Sequence, residues 1–103
     1  MSENIKIERI LCAAVWYNDN VTAHIHKPIN VKSGYVVAGR RHYNCIQMHV
    51  FLTGSWDNAG LDVVQGFLTS GNRFVNRMEA GQIAFEAGQI KELTDCLISE
   101  DLY

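Results

Sequence analysis

One proline, five arginines and three cysteines are all that 103 residues contain of those types. The lone Pro28, set against an apolar content of 48%, excludes a disordered or low-complexity chain and indicates an ordinary globule. Cys12, Cys45 and Cys96 are odd in number and widely spaced, which excludes a disulfide framework and suggests reduced cysteines in a core. No apolar run approaches the roughly 18 residues of a membrane span. The opening "MSENIKIERI" lacks the apolar segment of a secretory signal, so a cytoplasm is the expected compartment. The formal charge of -2 argues against a general DNA or RNA binder. There is no C-x-x-C pair, no H-E-x-x-H, no Walker loop and no dinucleotide fingerprint.

Charge placement says more than its sum. Four of the five arginines, Arg40, Arg41, Arg73 and Arg77, fall in two short segments, while the C-terminal end is acidic. Local positive potential is therefore compatible with a negative total. The bland counterpart is that these arginines only solvate the edges of turns.

"IERILCAAVWYN" reads as a strand, being apolar and rich in residues that fit a pleated surface. Asp19-Asn20 marks a turn, and "VKSGYVVAGRRH" a second, antiparallel strand ended by Gly39. "HYNCIQMHVFLTG" predicts a helix with Cys45, Met48, His49 and Leu52 on one face and Gly54 as its stop. "VVQGFLTS" and "RFVN" around Gly71-Asn72 predict a hairpin with a two-residue loop. In that register Phe67, Thr69, Phe74 and Asn76 share one face, and Leu68 and Val75 point to the core. Asn76 and Glu79 form a capping box for a second helix. Ala80, Ile83, Ala84 and Ala87 give that helix a stripe of small residues, Gly81 suggests close approach, and Gly88 is its stop. "IKELTDCLI" suggests a further short helix. The order β-β-α-β-β-α predicts a single α+β domain over residues 1–103, an antiparallel sheet with helices packed on one side.

"GRRHYN" and "NRFVNR" each place arginines where a helix begins. The first amides of a helix lack internal partners and the dipole makes that end partly positive, which suits phosphate. Guanidinium adds bidentate hydrogen bonds to phosphate oxygens. Phe67, Phe74 or Tyr43 could stack on a base, although buried phenylalanines are commoner than exposed ones. Asn76 could be a cap alone. His42, Cys45 and His49 at i, i+3, i+7 align on one helix face, and His24 and His26 alternate on a possible strand. A partly buried histidine and a core cysteine explain that spacing without metal. Cys45 with a neighbouring histidine has no evident oxyanion hole, and Ser70 has no strand-turn-helix elbow. Neither metal nor cofactor is expected, and holding a nucleotide fits these residues better than cutting one.

The ordered set "ILCAAVWYN", "GRRHYNCI", "QGFLTSGNRFVNRMEAGQIAFEAGQ" and "SEDLY" resembles small phage proteins of the first Thoeris anti-defence family. The resemblance covers most of the chain outside "VTAHIHKPIN" and "KELTDCLI". It implies a sponge: a protein that binds the cyclic ADP-ribose isomer made by bacterial TIR-domain immune enzymes and withholds it from its effector. It implies dimers that assemble to hexamers in the host bacterial cytoplasm and, for some members, further sites for cyclic di- or trinucleotides. It places Arg41, His42, Phe67, Arg73, Asn76 and Arg77 in or near the nucleotide pocket. Arg40 joins that pocket or the second class of site. The histidine-rich loop is longer than the strand connection usual in that family. A nucleotide-cleaving enzyme and a module that binds a host protein are the competing readings.

Overall fold

The computed structural model describes residues 7–24 and 27–103; the first six residues of the opening segment and His26 lie outside them. Four strands and two helices follow the predicted order: β1 (Ile10–Asn18), β2 (Tyr35–Gly39), α1 (His42–Thr53), β3 (Asp62–Thr69), β4 (Phe74–Val75) and α2 (Arg77–Glu86). The sheet is antiparallel with strand order β2-β1-β3-β4, so the apolar β1 lies inside it. Both helices pack on one face. There Ala13, Val15 and Tyr17 of β1 meet Phe67, Val75, Cys45, Ala80 and Ala84. An irregularity between Ile10 and Cys12 shifts the β1 register, and Ile10 turns into the same core. The opposite face is covered by the 28–33 loop, where Val31 packs with Ala14, Phe74, Trp16 and Leu68. Asn30 exchanges two hydrogen bonds with the backbone of Phe74, at 2.6 and 2.8 Å, which covers the β4 edge.

The hairpin differs from its predicted register by one residue. Phe67 pairs with Val75 and Leu68 with Phe74. Its loop has three residues. The Asn72 amide donates to the Thr69 carbonyl, and Asn72 itself takes a left-handed φ of 59°. The Thr69 hydroxyl accepts from the amides of Gly71 and Arg73 and so favours this turn over the two-residue one. A slip of one residue exchanges faces. Phe67 and Val75 therefore enter the helix-side core, and Phe74 joins Leu68 beneath the loop.

Helix α2 follows its sequence signals closely. The Asn76 side chain accepts from the Glu79 amide at 2.8 Å, and the Glu79 carboxylate accepts from the Asn76 amide at 3.0 Å. Gln89 N–H reaches the Ala84 carbonyl and Gly88 N–H that of Phe85, closing the helix with Gly88 at φ 74°. Gly81 lies against the Thr94 carbonyl, where a methyl group would collide. That contact accounts for a correction. The "IKELTDCLI" segment is not helical but runs in turns along α2, with Leu97 buried and its amide bonded to the Arg77 carbonyl. The only regular element of the C-terminal stretch is a 3-10 turn, Ser99–Asp101. Two burial expectations also change. Helix α1 buries Cys45 and His49 but leaves Met48 and Leu52 exposed, because only one narrow line of the helix meets the sheet. Cys96 is exposed, since the turns that carry it lie outside the core.

Candidate functional site: a guanidinium corner

The starts of α1 and α2 meet over the middle of β3. His42, the first residue of α1, donates from Nε2 to the Gly66 carbonyl at 2.7 Å. That bond fixes the tautomer and leaves the Nδ1 lone pair facing Arg77 Nη2 at 3.5 Å. Arg77, the first residue of α2, also donates to the Gln65 side-chain oxygen at 2.8 Å and to the Leu97 carbonyl at 2.9 Å. Burial, assisted by the Arg77 charge, lowers the His42 pKa, while the bond to Gly66 pulls the other way. The ring is therefore neutral near pH 7 and can accept from Arg77.

Arg41 precedes α1. It donates to Ser99 Oγ at 3.2 Å and to the Tyr103 main-chain oxygen at 2.5 Å. The Tyr103 ring lies against both neighbouring guanidiniums, 5.4 Å from Arg40 and 5.1 Å from Arg41. Among the described residues no aspartate or glutamate pairs with Arg40, Arg41 or Arg77. Arg40 and Arg41 share the Tyr103 ring and Arg77 lies beside His42, with the Glu100 charge opposing them there; a surface with these guanidiniums free of direct acidic partners suits an anion.

Not all the residues singled out from sequence join this corner. Arg73 makes a bidentate pair with Glu8, at 2.9 and 2.8 Å, which commits its guanidinium to a carboxylate. The Arg73 guanidinium, and then the Thr69 hydroxyl, hold the Glu8 carboxyl down to about 2. Asn76 is committed through its oxygen to capping α2, and the Glu79 carboxylate already answers the positive end of that helix. At α1 the corresponding positions carry no acid. Phe67 is 0% exposed and sits edge-on beneath His42, so it supports the corner from below and offers no open face. Phe74 is buried on the far side of the sheet. Tyr43, 62% exposed and next to His42, has a free ring.

Gln65, Ser99 and Tyr103 complete the corner, and sequence reading passed over them. Alternation along β3 carried no sign that Gln65 would meet Arg77, 12 positions away. The contacts to Ser99 and Tyr103 span 58 and 62 positions. The one available hint was the aromatic and hydroxyl content of the terminal "SEDLY".

His42, Cys45 and His49 do line one helix face, but each is engaged differently. His42 serves Gly66, and Cys45 donates to the Ala13 and Arg41 carbonyls. His49 Nε2 lies 2.8 Å from the Tyr35 hydroxyl and its ring stacks 3.6 Å from that of Tyr17. Burial pushes the Cys45 thiol up to about 11, so it is not a thiolate at neutral pH. Two open grooves flank the 89–95 segment. One of 630 Å³ has Glu92 and Asp101 in its lining, and the other, of 550 Å³, has Asp95. Their carboxylates suit an anion poorly, and neither contains an arginine.

A family model described as "Phage T4 y16D protein" matches residues 9–103. No curated protein and no solved structure matches the chain.

Proposed function

The chain belongs to the phage T4 y16D protein family, and we propose that this phage protein acts inside its bacterial host as a sponge for a phosphate-bearing nucleotide signal, a cyclic ADP-ribose isomer made by TIR-domain immune enzymes. The observation that carries the anion-binding part is that, among the described residues, no aspartate or glutamate pairs with Arg40, Arg41 or Arg77 at the starts of the two helices. The choice of cyclic ADP-ribose rests on the sequence resemblance to the Thoeris anti-defence proteins. A diphosphate would take the arginines, and the exposed Tyr43 ring offers a surface for adenine.

Sequestration needs capture without turnover. A neutral His42 locked to a backbone carbonyl and a buried, protonated Cys45 favour holding over cutting. A cyclic ligand has few torsions to lose, so a preformed corner binds it at low entropic cost. Some members of the resembling family hold cyclic di- or trinucleotides at separate sites, and the same test extends to them. Titration calorimetry with a panel of cyclic nucleotides, followed by mass spectrometry of ligand released on heating, checks the reading. Binding of the cyclic ADP-ribose isomer and its intact recovery are expected. A hydrolysed product would instead identify an enzyme.

Tyr43, Met48, Phe51, Leu52 and Trp56 expose apolar surface along and just after α1. The homodimer and hexamer implied by the resemblance would bury such a surface. A module that binds a host protein would use the same surface, and the two part at the corner: host-protein binding would survive Arg77→Ala, whereas nucleotide capture would not.

A further inference from the structure

The corner is already filled, and by the chain itself. Leu97 is 0% exposed and Ser99 is buried, so the start of the terminal segment is anchored. Beyond the Ser99–Asp101 turn the segment doubles back over the arginines. The Tyr103 main-chain oxygen accepts from Arg41, its hydroxyl donates to the Arg40 carbonyl at 2.6 Å, and its ring lies against both guanidiniums. Tyr103 is nonetheless 41% exposed, with no hydrophobic anchor comparable to Leu97. An oxygen acceptor on Arg41 and an aromatic ring beside two guanidiniums are the two elements of a nucleotide: a phosphate oxygen and a base.

Resting on the anion reading above, we infer that Tyr103 forms a strap that competes with the ligand for Arg40 and Arg41, with Leu102 held against the core behind it. Binding swings Tyr103 out, while Leu97 and Ser99 stay in place as the hinge. The strap keeps the two adjacent positive charges from attracting abundant, weakly held anions. A ligand is retained only if its contacts exceed those of the strap, so the strap sets a threshold on affinity.

The test compares wild type with Tyr103→Ala and Tyr103→Phe, using two probes, inorganic pyrophosphate and cyclic ADP-ribose, with stopped-flow association rates and calorimetric affinities. Tyr103→Ala is expected to bind pyrophosphate about tenfold more tightly and to associate faster, because the closed form no longer takes most of the population. Tyr103→Phe keeps the ring but loses the bond to the Arg40 carbonyl, and falls between. Thermal unfolding should differ little among the three, since the ring is partly solvated. Equal or weaker pyrophosphate binding by Tyr103→Ala would overturn the strap; a weaker result would make Tyr103 part of the ligand's own contacts. If Tyr103→Ala gains pyrophosphate affinity but no cyclic nucleotide binds either protein, the strap stands and the sponge reading falls. If both proteins bind the nucleotide equally, the sponge reading stands and the strap falls.

Discussion

His49 shows how much of this molecule is decided by single side chains. It is buried, stacked on Tyr17 and bonded to the Tyr35 hydroxyl, and burial lowers its pKa. The folded state therefore binds fewer protons than the unfolded state once pH drops below the ordinary histidine value of about 6.5. Stability is full above that value and declines as pH falls toward the folded-state pKa, with His42 adding to the slope in the same direction. Chemical denaturation between pH 7.5 and 5 should show this loss, and His49→Phe, which keeps the stack, should flatten it. Glu8 behaves as a carboxylate with a depressed pKa, so its contribution persists to lower pH and fades only between about 4.5 and 2. Its pair with Arg73 is partly exposed, so a double-mutant cycle should give about 1 kcal/mol or less. Arg73→Ala should thus weaken the fold slightly and leave nucleotide capture unchanged. Arg77→Ala should weaken capture by about 1.5–3 kcal/mol, the scale of a hydrogen bond to a charged group.

Elements were legible where local chemistry determines them. The Asn76–Glu79 box, the Gly88 stop and the Gly54 stop mark helix ends through bonds within a few residues, and the structure shows each of those ends. The hairpin register was not legible, because the choice between a two- and a three-residue loop turned on the Thr69 hydroxyl and the left-handed Asn72. The turns of the 90–98 segment are not legible in its sequence for another reason. It meets α2 through the Thr94 carbonyl and the buried Leu97, while Leu93 and Ile98 stay exposed, so its apolar residues form no helical face of their own. The corner lay between these cases. The sequence placed arginines at two helix starts, but that the starts touch, and that Arg73 turns to Glu8, depend on tertiary packing. Two substitutions probe α2 directly. Asn76→Ala should cost about 1 kcal/mol through the lost cap. Gly81→Ala should cost about 1–3 kcal/mol, since the added methyl would force the Thr94 carbonyl away. Urea titrations would check both, and a neutral Gly81→Ala would refute the close approach.

At the scale of the whole molecule, a chain with net charge -2 pairs Arg73 with Glu8 but, among the described residues, leaves Arg40, Arg41 and Arg77 without an aspartate or glutamate partner. Arginines concentrate where the helices begin, and acids occupy the grooves beside the 89–95 segment. Among the described residues no helix is long and apolar enough to cross a membrane. The exposed apolar line of α1 leads to a prediction about assembly. Phe51 is 83% exposed and Trp56 67% exposed, so Phe51→Asp and Trp56→Asp should leave the fold intact yet convert an oligomer to monomer in sedimentation velocity. A monomeric wild type would remove the oligomer from the account. The most direct trial of the central claim is a calorimetric titration of the cyclic ADP-ribose isomer into wild type, Arg41→Ala, Arg73→Ala and Arg77→Ala. Tight binding by wild type and Arg73→Ala, with clear loss in the other two, is the predicted outcome. Absence of heat in wild type, or one affinity shared by all four proteins, would contradict it.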